Sequence, residues 1–371
     1  VEDLGLVPGN RVLLRSANNP MMVAAYMAVI RAGGIAVGTM PLLRARELEV
    51  IVNKAEITHA LCDVRLREEL DLARENMPTL KEVRFFDASS SNELEELMAA
   101  KPTEFEPYPS KSEDVCLIAF TSGTTGAPKG TMHFHRDMLA ICDGFSSMVL
   151  KPTKDDIFCG TPPLAFTFGL GGMALFSMHC GASTLLMEAA TPEQQLEAVQ
   201  KYKTTVLFTA PTAYRAMLQH IQGYDFSSMR RCVSAGEHLP KSTYEAFLAA
   251  TGIKLIDGLG ATEMLHVFIT SADDDVRSGA TGIVVPGYHA KIVDDDGNDV
   301  PPGTVGRLAV YGPTGCRYLA DDRQTVDVQH GWNMTGDSDL MDEDGKFWFK
   351  ARADGTISSA VYDRSGPEIK N

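Results

Sequence analysis

Residues 121–130 read Thr121-Ser122-Gly123-Thr124-Thr125-Gly126-Ala127-Pro128-Lys129-Gly130. The run follows Val115–Phe120 (VCLIAF), a continuous apolar stretch of the kind that forms a strand buried on both faces. It leads into a helix predicted near 134–149. A glycine-rich turn between a buried strand and a helix offers backbone N–H groups to an anion, because glycine lets the chain turn tightly and a helix start carries unpaired donors. The hydroxyls of Thr121, Ser122, Thr124 and Thr125 and the ammonium of Lys129 add donors, so the loop suits a polyphosphate. It is not a Walker A loop, which needs Gly-Lys-Ser/Thr; here Lys129 stands between Pro128 and Gly130.

Outward from this loop the chain alternates strand and helix patterns. Upstream, helices are predicted at 20–32, 44–55, 65–76 and 92–100, and strands at 35–39, 57–62 and 83–86. Residues 101–114, with three prolines, read as a connecting loop. Downstream come strand 182–187, helix 192–202, strand 205–209, helix 211–221, strand 230–234, helix 240–250 and strand 253–256. Such alternation indicates βαβ units and mostly parallel sheets flanked by helices, an α/β class. Near Gly279 the pattern changes to strand and turn, with Asp296-Gly297 and Pro301-Pro302-Gly303 as turn signals. The expected division is an α/β body over 1–278, a small β subdomain over 279–350, and a further segment over 351–371.

Composition narrows the function classes. The chain has 371 residues, with 34 basic and 49 acidic, for a formal net charge of −15. That surplus argues against a nucleic-acid or anionic-membrane partner. The seven cysteines include no Cys-x-x-Cys pair, which disfavours a disulfide framework or structural zinc and suits a cytoplasmic protein. Residues 157–187 carry no charge, but Gly160, Pro162, Pro163, Gly169, Gly171, Gly172 and Gly181 break the run. It reads as loop, buried helix and strand rather than a membrane span.

The decapeptide resembles the phosphate loop of the adenylate-forming superfamily, which includes acyl- and aryl-CoA synthetases and peptide-synthetase adenylation domains. Three further segments resemble that family's motifs in the family's order. Gly258-Leu259-Gly260-Ala261-Thr262-Glu263 is similar to its aromatic/Gly-x-Thr-Glu segment, with Leu259 in the aromatic position. The resemblance implies that Thr262 contacts the α-phosphate and that Glu263 helps hold Mg²⁺, and it makes Lys129, Thr262 and Glu263 the candidate catalytic residues. Thr335-Gly336-Asp337 is similar to the T-G-D motif, whose aspartate would accept from the ribose hydroxyls. Arg352-x-Asp354 is similar to the G-R-x-D-D hinge, where Arg352 would reach the ribose and Asp354 would pivot a mobile lid. Ala351, Gly355 and Val361 depart from the hinge pattern. Ser234-Ala235-Gly236-Glu237 resembles the segment flanking adenine. The implied nucleotide-binding set is therefore Thr121, Ser122, Gly123, Thr124, Thr125, Gly126, Gly236, Glu237, Asp257, Gly258, Asp337 and Arg352.

In this family the acyl pocket is built from the segment after the phosphate loop and the one after Thr-Glu. Here these supply Ala165, Phe166, Phe168 and Gly169, then His266 and Val267. Two phenylalanines beside small residues suit a flat aromatic ring. Neither stretch holds an acid besides Glu263, which weakens an amino-acid substrate. The wording Thr-Glu-Met-Leu-His looks like benzoate-type CoA ligases, and residues 39–47 and 166–172 look closest to 2-aminobenzoate-CoA ligases. His266 would bond a ring substituent or close the pocket; His133 and His135 are candidates for the pocket mouth.

The resemblance implies an acid–thiol ligase that takes ATP, Mg²⁺, an aromatic carboxylate and coenzyme A, with a homodimer as the possible assembly. The alternatives are a synthetase for a non-aromatic acid, an enzyme loading a carrier protein, and a nucleotide-binding pseudo-synthetase. It also implies sequence ahead of Val1 and a C-terminal lid beyond the hinge carrying a catalytic lysine, to which no residue here is assigned. A protein ending at Asn371 is expected to bind nucleotide yet adenylate poorly.

Overall fold

The computed structural model describes residues 2–86, 93–121, 128–352, 357–359 and 362–364. The first sheet is built from β1 (Arg11–Arg15), β2 (Ile35–Thr39), β3 (His59–Asp63), β4 (Glu82–Phe86), β5 (Val115–Phe120) and β6 (Gly130–Phe134). Its order is β4-β3-β1-β2-β5-β6. All neighbours are parallel except β5 and β6, which run antiparallel with Ile118 opposite Met132.

The second sheet holds β7 (Ile157–Gly160), β8 (Ser183–Leu186), β9 (Val206–Thr209), β10 (Arg231–Ala235), β11 (Leu255–Gly260), β12 (Val267–Thr270) and β13 (Ile283–Val284). The order is β13-β12-β11-β10-β9-β7-β8, with β12 and β13 the antiparallel members. A third, antiparallel sheet follows: β14 (His289–Val293), β15 (Val305–Tyr311), β16 (Val328–Gln329), β17 (Trp332–Met341) and β18 (Phe347–Arg352).

Local sequence explains the helices that flank the parallel strands. Helix Pro20–Arg31 starts where Asn19 Oδ1 accepts from the Met22 N–H at 2.9 Å and Pro20 takes the first turn, and it ends before Gly33 at φ +77°. Its inward stripe is Met22, Ala25, Tyr26 and Val29, the spacing of one helical face. One buried cluster runs from Val12 and Leu117 through Phe158 and Phe208 to Ile292 and Leu308, so all three sheets share a core. The cysteines are free, five buried and Cys180 and Cys316 partly so. Among the described residues no helix is long and apolar enough to cross a membrane; residues 157–187 form β7, short helical segments and β8.

Three elements differ from the sequence expectation. β6 occupies residues expected to run as loop into a helix, which starts at His135 instead. β1 was not anticipated, because Arg11 and Arg15 bracket it with charge. Arg15 is nonetheless buried, its guanidinium donating to the carbonyls of Met40, Pro41, Leu43 and Leu66. β11 continues through Gly258 to Gly260 rather than stopping at 256. Thr335-Gly336-Asp337 lies within the ten-residue β17.

Candidate active site

The β5–β6 hairpin presents the phosphate loop. Its base is closed by the Thr121 N–H donating to the Lys129 carbonyl at 3.0 Å. Ser122, Gly123, Thr124, Thr125 and Gly126 lie outside the described residues. Residues 317–319 then pair onto β6: Leu319 N–H donates to Gly130 and Met132 N–H to Arg317, both at 2.8 Å. This pairing sets Tyr318, from the third sheet's connection, against Lys129.

Four side chains meet there. Lys129 Nζ donates to Tyr318 Oη and to Asp327 Oδ2, each at 2.9 Å, and lies 3.4 Å from Glu263 Oε1. Tyr318 Oη is 2.7 Å from Glu263 Oε1 and 2.9 Å from Asp327 Oδ2. The hydroxyl has one proton, so the shorter contact assigns it to Glu263, and the lysine supplies the rest. Burial pulls the Lys129 ammonium down, but Glu263 and Asp327 outweigh it and hold the pKa above its ordinary value. Burial, reinforced by the same carboxylates, pushes the Tyr318 phenol far above its ordinary range.

Glu263 is delivered by a turn that several elements hold. β11 ends at Gly260, residues Thr262–Met264 make one 3₁₀ turn, and Leu265 then adopts φ +68°, a strained value for a branched side chain. His133 Nε2, on β6, donates to the Thr262 carbonyl at 2.8 Å. Thr314 Oγ1, beside β15, donates to the Met264 carbonyl at 2.8 Å. His133 is fully buried; it underpins this turn instead of lining a pocket mouth.

The remaining nucleotide candidates gather at the carboxyl ends of β10 and β11 and on the third sheet. Gly236 follows β10 at φ +88°, and Glu237 accepts from Thr212 Oγ1 at 3.1 Å. Asp257 and Gly258 lie on β11 opposite Ser234 and Ala235. Burial pushes the Asp257 carboxyl up to about 8, against a backbone hydrogen bond from Gly258. Asp337 and Arg352 face each other across β17 and β18, with Arg352 Nη1 donating to Asp337 Oδ1 at 2.9 Å. Asp354 lies outside the described residues.

The acyl-pocket candidates divide. His266 is buried and ringed by Phe145, Phe168 and Phe176, at centroid separations of 5.2, 5.6 and 4.7 Å. Neither ring nitrogen makes a hydrogen bond among the described residues. Burial lowers its pKa to about 3. Val267 opens β12 and packs across β11, where a Cβ on Gly258 would come within 2.8 Å of it. Gly169 is required by close packing, since a Cβ would lie 2.0 Å from the Pro163 carbonyl oxygen. Phe166 and Ala165 are partly exposed at the start of this segment.

That segment is tied to the other half of the chain. Asn18 Nδ2 donates to the Pro162 carbonyl at 3.0 Å, and Asn18 Oδ1 accepts from the Leu164 N–H at 2.8 Å. Tyr26 Oη donates to the Leu164 carbonyl at 3.1 Å. A small apolar cleft lined by Leu4, Leu6, Val12, Val29 and His59 shares no residue with this site.

Sequence reasoning missed Tyr318, Asp327, Phe145 and Phe176. Tyr318 and Asp327 belong to no recognisable local pattern; only the pairing of residues 317–319 on β6 brings them in. The phenylalanines carried a weak signal, being apolar residues on the helices that flank the glycine-rich segment.

A phosphate-loop hairpin, a Thr-Glu turn and an Asp–Arg pair joining β17 to β18, around three sheets, define an adenylate-forming enzyme. The chain belongs to the AMP-binding enzyme family, whose model matches residues 1–318. It is 29% identical over 366 residues to the benzoate–CoA ligase of Thauera aromatica, covering 97% of this chain and 69% of that protein. It is 31% identical to the 3-hydroxybenzoate–CoA ligase of Aromatoleum sp. (strain CIB), covering 99% and 71%. The crystal structure of the anthranilate CoA ligase AuaEII in complex with anthranoyl-AMP superposes with a TM-score of 0.92 at 31% identity, covering 99% of this chain and 73% of that one.

Proposed function

We propose that this protein joins an aromatic carboxylate to AMP at the expense of ATP, releasing pyrophosphate, and then passes the acyl group to the thiol of coenzyme A with release of AMP. A carboxylate is a poor acylating agent, and the adenylate gives it a good leaving group. The observation that carries the reading is the spacing along one turn: Glu263, in the Lys129 cluster, and His266, inside the aromatic shell, are three residues apart with Leu265 turning the chain between them. A ring held against His266 and Phe168 would thus place its carboxylate toward the triphosphate.

Lys129 and the phosphate loop would bind the phosphate oxygens, and Asp337 and Arg352 the ribose. Such chemistry is mostly positioning and charge neutralisation. Mg²⁺ suits this donor set, because it is usually held by one or two carboxylates together with substrate phosphates, and Glu263 offers one. When bound it would neutralise charge on the phosphates. His266 remains neutral at physiological pH, so it can meet a ring substituent as donor or acceptor.

The test is a panel of benzoate, 2-aminobenzoate, hydroxybenzoates and medium-chain fatty acids with the full-length protein, ATP and CoA, read as AMP release. Aromatic acids should give the highest kcat/KM. A clear win for fatty acids would overturn the aromatic assignment, and no acid-dependent AMP release would overturn the ligase reading.

A further inference from the structure

All three Lys129 protons are directed at protein groups. Tyr318 and Asp327 take two at 2.9 Å, and Glu263 stands at 3.4 Å for the third. A phosphate oxygen can gain this ammonium only if one of them gives way. Tyr318 is fixed by the pairing of residues 317–319 on β6 and by its bond to Glu263. Glu263 is held by the turn under His133 and Thr314. Asp327 differs: it closes a single helical turn, Gln324–Asp327, leading into the two-residue β16. Its side chain is also the most exposed of the two carboxylates, 24% against 14%.

We propose that Asp327 is a stand-in anion, holding Lys129 in the free enzyme and yielding it to a phosphate of ATP, while Tyr318 keeps Lys129 and Glu263 in register through the exchange. The proposal rests on the reading of this site as the ATP site. One anion replaces another on the same ammonium, with no covalent step. Asp327 therefore competes with substrate, and removing its charge should tighten binding.

The experiment is calorimetric titration of the full-length protein with ATP and Mg²⁺. Asp327→Asn and Asp327→Ser should each lower the Kd about twofold to fivefold, the range for releasing a partly exposed ion pair. Asp322→Asn, which removes the same charge from an exposed site five residues away, should leave it unchanged. In a Lys129→Met background, Asp327→Asn should have no further effect, since the coupling is lost. Weaker or unaltered ATP binding in both Asp327 variants would overturn the proposal. So would equal tightening by Asp322→Asn, which would indicate only a general field effect. If the unsubstituted protein bound no ATP, the ATP-site reading itself would fall as well.

Discussion

His133 Nε2 lies 2.8 Å from the carbonyl oxygen of Thr262, so the strand that closes the phosphate loop also supports the turn that carries Glu263. A carbonyl only accepts, so Nε2 carries the proton. On its other side Nδ1 faces Asp137 Oδ2 at 3.6 Å, a carboxylate that caps the Phe134 N–H at 3.1 Å. His133→Ala should free the turn and lower kcat for acid-dependent ATP–pyrophosphate exchange about tenfold or more, as for other groups that orient a metal-binding carboxylate. His133→Gln, which keeps a donor, should recover part of the loss. A fall in melting temperature with unaltered kcat would show a merely structural role.

Glu263 stands 3.4 Å from Lys129 Nζ and, on the proposed reading, is also the carboxylate that would hold Mg²⁺. Glu263→Gln keeps the shape and an acceptor for Tyr318 but removes the charge. Exchange should fall about a hundredfold, about 2.7 kcal/mol of barrier, on the proposed metal role. The dependence of ATP affinity on Mg²⁺, measured by titration with and without the ion, should flatten. A Mg²⁺ dependence like that of the unsubstituted protein would place the metal elsewhere.

Gly171 backs the imidazole. A Cβ there would lie 2.5 Å from His266 Cδ2, and the ring cannot retreat because Phe145, Phe168 and Phe176 surround it. Gly171→Ala should cost about 1–3 kcal/mol by overpacking and displace His266 into the pocket. KM for the aromatic acid should rise about tenfold while KM for ATP holds. Acid and ATP constants from steady-state kinetics, beside a urea unfolding curve, separate this from general damage.

Asp339 lies on β17 two residues beyond Asp337, fully buried, with neither oxygen bonded among the described residues. Burial, helped by Asp337, pushes its pKa up to about 8. The folded state therefore keeps the proton that the unfolded chain releases near pH 4. Between those values the native state binds more protons, so stability declines as pH rises toward 8 and levels beyond it. Asp339→Asn should remove that slope, at most about 1.4 kcal/mol per pH unit. Urea unfolding at pH 6, 7, 8 and 9 should show the variant's advantage widening up to pH 8 and constant above. A gap independent of pH would refute the assignment.

Much of the frame could be read from residue order. Val115–Phe120 and Ile35–Thr39 are strands with the bounds their apolar runs imply, and helix Pro20–Arg31 follows from Asn19, Pro20 and Gly33. What escaped reading depends on contacts between distant segments. β6 is a strand because β5 and residues 317–319 flank it; alone, Gly-Thr-Met-His-Phe is a short run that opens on glycine, which strands disfavour. Arg15 reads as a surface charge until four distant carbonyls surround it. The site divides in the same way: Lys129, Glu263 and His266 stood out within local motifs, whereas Tyr318 and Asp327 enter only through tertiary pairing.

The carboxamide of Asn18 behaves toward Pro162 and Leu164 like one rung of a β-ladder, borrowed from the opposite half of the chain. The segment proposed to hold the acid is therefore anchored at Pro162 and Leu164. On the proposed reading, redesign for a bulkier acid would work from Ala165 through Phe168, whereas a change upstream would tug on helix Pro20–Arg31 and the sheet it covers. On the proposed reading, acid selectivity and the join between the first two sheets are written in adjacent residues, and an engineer alters the first without loosening the second only by stopping short of Leu164.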